Sequence, residues 1–419
     1  MKRTSLFILL FISSLSLFSQ KEFVEYWQNG EVSTKGYLTD KGTRTGEWTW
    51  YYPTAKVQIE GRYNEDGHRE GIWKHYYPNG QLFKEEVYQS QGIAKEYYSN
   101  GQLHYQIRVE DGKKQGEYIE YYKDGKLKME GIYKDDELEG DVVWYYESGY
   151  KEMEGRLKKG KRVGEWKYYY RENGELGSRG DFDNDLEEGR WIYYYSDASL
   201  WREGDYSRGK REGLWITYYE DGKELQKGNY RRGKEEGRWE SYYPDGSIKD
   251  EGIFSQGEMD GEWKSFYPNG SKKTIITYKK GLKHGLEYLY DDRGELYQEV
   301  AYREGRFHGY YKRYSPQGVL IEHSNYKNGK REGRSTFYYI RGAKLREQNF
   351  RDGKPHGNWV EYAENGNLIA KGRYTDGIQD GTWENYDGYG NKISIAKYKK
   401  GKRTSFKEIK PKQPGKTTF

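Results

Sequence analysis

The chain of 419 residues contains no cysteine. Disulfides, thiolate metal sites, a cysteine nucleophile and a lipid-modified N-terminal cysteine are all excluded. Aliphatic residues are scarce as well. Hydrophobic residues make up 33% of the chain, and aromatics, at 17%, are about half of them. A thick Leu/Ile/Val core is therefore not expected, and packing and backbone pairing alone must hold the fold. No stretch carries a 3.6-residue apolar period, so helices are not expected. Several chemical signatures are missing. There is no G-x-x-x-x-G-K-[ST], no strand–G-x-G-x-x-G–helix unit, no H-E-x-x-H and no G-x-S-x-G. The sequence points to no enzyme: no catalytic residue, cofactor-binding residue, metal ligand or cofactor is assigned.

What is present begins with the N-terminus, MKRTSLFILLFISSLSLFSQKE. Lys2 and Arg3 precede an apolar run of fourteen residues, Ser5 to Phe18, too short to span a bilayer. Ser14, Ser16 and Ser19 suit a signal peptidase. Residues 1–19 read as a cleaved secretory signal, which implies a periplasmic, outer-membrane-associated or extracellular protein. The segment from Tyr398 to Phe419 carries eight Lys/Arg against Glu408 alone. With the net charge at +5, the remaining body is slightly acidic, near −4 once the signal's two charges and the tail's seven are set aside. Residues 406–419 are expected to be a disordered basic tail able to approach an anionic membrane surface. Export and the acidic body argue against a nucleic-acid partner.

Between these ends the chain repeats. Glycines at 46, 71, 92, 116, 140, 164, 189, 213, 237, 261, 285, 309, 333, 357 and 381 recur mostly every 24 residues, with spacings of 25, 21 and 25 as exceptions. The consensus is G-x-W-x-x-Y-Y-x-x-G-x-L followed by x-x-E-G-x-Y-x-x-G-K-x-x. Such a period signals stacked units, here about 15–16 over residues 20–405. Each unit reads as a hairpin. Trp239–Tyr243 is rich in strand formers, Pro244-Asp245-Gly246 is a turn signal, and a second short strand ends at Phe254. The expected fold is all-β: an elongated, single-layer antiparallel β-hairpin repeat, a ribbon on the order of 150 Å long at ~4.8 Å per strand.

A two-residue turn centred on Asp245-Gly246 would place Trp239 opposite Gly252, and likewise Trp191 opposite Gly204, Trp215 opposite Gly228 and Trp359 opposite Gly372. The expected reason is that an indole lies flat across a strand that lacks a side chain there. Trp263 opposite Ile276 and Val142 opposite Gly155 break the pattern. Residues 276–350 lose both Trp and glycine, as at Glu287/Val300, Tyr311/Ser324 and Ser335/Gln348. The aromatic five residues after each anchor is present in all fifteen units, and the next position is aromatic in eleven. Alternation puts Trp239 and Tyr243 on one face and Tyr242 on the other. The fully kept position is expected to form the core. The Trp191/Tyr195, Trp215/Tyr219, Trp239/Tyr243 and Trp263/Tyr267 pairs are the candidate contacts for a partner or ligand.

The phrase G-x-Y-x-x-G-K-x-x-G-x-W-x-x-Y-Y-x-[DN]-G resembles MORN repeats, in the bacterial variant called antitoxin-like, over about residues 22–405. The resemblance implies a hairpin ribbon with a non-catalytic role in protein contacts, membrane attachment or assembly. Where many such repeats have a second glycine this chain has Trp, as in Gly237-Arg238-Trp239, so lipid binding is not carried over. A weaker likeness is to aromatic hairpin repeats of choline- and glucan-binding modules. Three functions follow as expectations: a scaffold for protein or envelope-surface contacts, an envelope glycan or choline-type binder, and neutralisation of a partner toxin. His284, His308 and His356 precede anchor glycines, but units one repeat apart stand ~9–10 Å apart, too far to share a metal.

Overall fold

A computed structural model describes residues 20–409; the proposed signal at 1–19 and the end of the tail lie outside the described residues. Every regular element among the described residues is a β-strand, and the pairings are antiparallel between chain neighbours, except that Leu127–Lys134 and Leu320–Lys327 also pair past the two-residue strands Glu137–Leu138 and Lys330–Arg331 with Gly140–Tyr145 and Gly333–Tyr338. By packing, the chain falls into two units. One comprises residues up to Gly189 with Ser196–Ala198, and the other Arg190–Tyr195 with Ser199 onward. In the first, strands run in order from Lys21–Tyr26 to Leu176–Asp183; in the second, from Leu200–Ser207 to Lys402–Glu408. The last strand pairs Ser394 with Glu408, so ordered pairing continues past the boundary placed at 405. It is exposed throughout, and Lys402, Arg403 and Lys407 on it are the charges that discourage edge-to-edge pairing.

The repeat centred on Trp239 shows the local logic. Lys234–Tyr242 pairs with Ile248–Ser255, which pairs with Glu258–Phe266. The expected register holds: Trp239 faces Gly252, Trp215 faces Gly228, Trp359 faces Gly372, and the non-conforming pairs Trp263/Ile276 and Glu287/Val300 also align. The turn differs from expectation. Tyr243 N–H donates to Ser247 O and Gly246 N–H to Tyr243 O, with Gly246 at φ 88°. This is a three-residue loop closed by a left-handed glycine. A bulge between Ser241 and Tyr242 then restores the register. The two-residue turn lies at the other end of the unit, where Ser255 pairs with Glu258 and both Gln256 (54°) and Gly257 (87°) have positive φ, as a type I′ turn requires.

The anchor glycine explains the indole. Glu251 pairs with Lys264 but Ile253 pairs with Asp260, so Gly252 alone spans Gly261, Glu262 and Trp263. Gly261, at φ 75°, makes that bulge possible. The bulge swings Trp263 back across the preceding strand. The atoms nearest a Cβ on Gly252 all belong to Trp263, well inside contact distance, although Trp239 is its direct strand partner. The same holds for Gly61 under Trp73, Gly155 under Trp166, Gly204 under Trp215 and Gly228 under Trp239. Each indole then donates to the carbonyl after its glycine: Trp263 to Ile253 at 3.0 Å, Trp239 to Asn229 at 3.2 Å, Trp215 to Asp205 at 3.0 Å. The expectation that Trp239 lies over its own strand partner Gly252 is thus corrected by one strand. The apparent exceptions resolve: Trp263 has Gly252, and Gly155 serves Trp166.

Over residues 276–350 the Trp–Gly device is replaced by buried polar groups. Glu287, at the Trp position, is buried and accepts from Lys283 Nζ at 2.6 Å and Tyr302 Oη at 2.9 Å. Glu322, also buried, accepts from Ser324 Oγ at 2.8 Å and Arg331 Nη2 at 2.5 Å. These units are packed differently from their neighbours, and they are packed as closely: Val300, Ser324 and Ser335 are among the most deeply buried side chains.

Candidate functional site

Alternation divides the residues between two faces as expected, but the core lies on the opposite face from the one anticipated. The buried face is the tryptophan face, where Trp48, Trp73, Trp166, Trp191 and Trp215 are 4% exposed or less. Rings from the second strand meet them edge-on, as in Tyr230–Trp239 at 5.2 Å and Phe254–Trp263 at 5.0 Å. The fully kept tyrosine is half-buried on the other, charged face. Tyr218 Oη donates to Glu203 at 2.9 Å, and Tyr242 Oη to Glu240 at 2.7 Å. Burial, then the Glu203 hydrogen bond, pushes the Tyr218 hydroxyl up to about 12. A large indole anchored over glycine buries more apolar area than a phenol whose hydroxyl needs a partner, so the less regular position forms the core.

One charged cluster predicts an acid response. Tyr386, Lys392 and Lys371 all bond Glu384 and hold its carboxyl down at about 2. A depressed carboxylate stabilises the fold above its unfolded value of 4.5 and loses that contribution as pH falls toward 2. Glu384→Gln is expected to flatten the stability–pH curve across that window, as read from urea midpoints at stepped pH. An unchanged slope would contradict the assignment.

The second tyrosine has a structural task. Tyr195 Oη donates to Tyr218 O at 2.9 Å, Tyr219 to Tyr242 O at 2.8 Å, Tyr243 to Phe266 O at 2.9 Å and Tyr267 to Tyr290 O at 3.0 Å. Each hydroxyl reaches a backbone carbonyl one repeat ahead and ties successive hairpins together. Tyr243→Phe should therefore lower stability by about 1 kcal/mol, the net worth of one such bond, with faster amide exchange confined near Phe266.

The eight aromatics singled out from sequence thus separate. Trp191 and Trp215 are buried, 3% and 4% exposed, and the four tyrosines are half-buried ladder members. Trp239 and Trp263 are half-buried as well, and they are brought together in one open depression of about 680 Å³ with Phe254, Glu235, Asp250 and Met259. Two features, combined in adjacent units, open it. First, the position two residues after the Trp carries a ring at Trp50, His75, Tyr168 and Tyr193, but here, as at Thr217 after Trp215, it is small: Ser241 and Ser265. Their hydroxyls both donate to Asp250, at 3.0 and 2.6 Å. Second, arginines two residues before the anchor cap other indoles: Arg44 over Trp48 at 4.7 Å, Arg69 over Trp73 at 4.2 Å, Arg211 over Trp215 at 4.6 Å. The equivalent residues here are Glu235 and Met259; Glu187, Pro355 and Gln379 replace the arginine before Trp191, Trp359 and Trp383. The role of Glu235 and Met259 was not recognised from sequence, although aligning the units on their anchors exposes the exchange. The histidines stand apart: His308 and His356 contact Asn328 and Asp376 respectively.

The family profile described as MORN repeat variant matches residues 44–65, 69–90, 90–111, 114–135, 211–232, 235–256, 259–280, 307–328 and 355–376. No curated protein matches the chain. Among solved structures, the crystal structure of TcdB2-TccC3-Cdc42 aligns at 10% identity over 90% of this chain and 23% of its own, with a TM-score of 0.16. The Photorhabdus luminescens Tc holotoxin pore aligns at 12% identity over 90% and 22%, also at 0.16. The chain spans about a quarter of the length of these structures, and likeness at that TM-score carries no argument. In nine segments distributed over both units, then, the chain is similar to the MORN repeat variant, and each segment is built as an antiparallel hairpin.

Proposed function

We propose that this protein is an exported, non-enzymatic repeat scaffold that binds a protein partner at the cell envelope. The observation that carries the reading is the fate of the aromatics. Most are engaged in holding hairpin to hairpin, through indole-on-glycine contacts and the tyrosine ladder, and Trp239 and Trp263, neighbours in successive units, line one open depression with no cation over their rings. A surface so arranged presents itself to another macromolecule through complementarity. Neutralising an envelope-acting toxin would be one form of such a contact. The glycan reading draws support from the same depression, since indoles beside Asp250 and seryl hydroxyls also suit sugar rings.

The test is affinity capture from envelope extracts with the mature chain, followed by reconstitution with the purified partner. A stoichiometric protein complex is expected. Reproducible turnover of a substrate, lost on one point mutation, would overturn the scaffold reading. Retention on polysaccharide with no protein complex would favour the glycan reading.

A further inference from the structure

The depression lacks a cation that three of its sister sites carry. At Trp48, Trp73 and Trp215 the outer face of the indole is occupied by a guanidinium of this same chain. Trp239 and Trp263 lie flat on Gly228 and Gly252 in the same way, yet Glu235 and Met259 stand where the capping arginines would be. Among the described residues no cation is placed over either ring. The surrounding charge is acidic. Glu235 and Asp250 make no ion pair, Glu287 holds Lys283 at 2.6 Å, and Glu240 at the border holds Arg238 at 2.7 Å. Bare indole faces beside carboxylates attract a guanidinium by cation–π and charge-assisted contact.

We propose that the vacated caps over Trp239 and Trp263 receive two arginine side chains from an extended segment of a partner protein. This rests on the scaffold reading and names what the scaffold recognises. The two indoles are one repeat apart, two strand spacings, or about 9.6 Å. In a polyproline II segment, residues i and i+3 lie on one face about 9.3 Å apart. The occupant is therefore an Arg-x-x-Arg segment in that conformation.

The test measures fluorescence anisotropy with the intact mature chain and a labelled Pro-Pro-Arg-Pro-Pro-Arg-Pro-Pro peptide. Binding is expected, at least tenfold weaker when citrulline replaces both arginines and several-fold weaker when the two arginines are adjacent. The double variant Glu235→Arg/Met259→Arg, which refills both caps from within the chain, should also lose at least tenfold, with near-UV circular dichroism unchanged. A variant with the same charge change at exposed turn positions, Ser99→Arg/Glu172→Arg, should retain binding. The proposal is overturned by no binding to the wild type, by equal loss in both double variants, by equal binding of the citrulline peptide, or by cellohexaose binding in place of the peptide. A captured protein partner that still binds Glu235→Arg/Met259→Arg would overturn this assignment and leave the scaffold reading standing.

Discussion

Replacing Gly61 with alanine should destabilise the fold by about 3 kcal/mol, at the upper end of overpacking costs. The added methyl would fall inside contact distance of Trp73 Cδ2 and Cε2. The indole cannot retreat. Trp73 is fully buried, its outer face carries Arg69 with Cζ 4.2 Å from the ring centroid, and its Nε1 is tied to Arg62 O at 3.2 Å. The decisive measurement is a double-mutant cycle on urea denaturation. Gly61→Ala should couple strongly to Trp73→Leu and weakly to Trp48→Leu, although Trp48 is the direct strand partner of Gly61. Coupling to Trp48 instead would mean that the indoles lie on their own hairpins. Because repeat arrays unfold in parts, amide exchange over Val57–Tyr63 and Arg69–Tyr76 provides the local readout.

Arg331→Met is expected to cost a similar amount, about 3 kcal/mol, by the opposite mechanism. The guanidinium bonds Glu322 at 2.5 Å and Tyr326 Oη at 2.9 Å. It also lies 5.5–5.8 Å from the rings of Tyr326, Phe337 and Phe350. Glu322 is only 4% exposed. Without Arg331 its carboxylate keeps the Ser324 hydroxyl and Arg313, 3.7 Å away, and a buried charge without a close partner costs several kcal/mol. Glu322→Gln in the Arg331→Met background should recover a large part of the loss, because it removes the uncompensated charge. If Arg331→Met is neutral and Glu322→Gln adds nothing, the polar packing of residues 276–350 is not what holds those units.

The hairpin period, the strand pairing and the register were legible in the residues themselves. Gly246 and Gly257 mark turns whose positive φ other residues resist, and β alternation assigns Trp239 and Tyr242 to opposite faces without reference to distant contacts. The same local rules misplaced the core. They weighed Tyr242, kept in every unit, above Trp239, whereas burial depends on what each ring can lie upon. Only the next strand supplies that. The bulge at Gly261 carries Trp263 backward onto Gly252, a displacement that pairing arithmetic within one hairpin does not contain. The correct correspondence was present as a pairing of each glycine with the Trp of the following unit, from Gly61 and Trp73 to Gly372 and Trp383, and it becomes meaningful once the bulge is seen. The open depression is likewise a tertiary product. Ser241, Ser265, Glu235 and Met259 are unremarked substitutions one by one, and they form a site because hairpin stacking places all four around two neighbouring indoles. The sequence by itself thus determined the repeat, its turns and its register, which depend on backbone dihedrals and two-residue alternation. The tertiary structure alone decided which rings are buried and which remain open, because that depends on side chains crossing from one hairpin to the next.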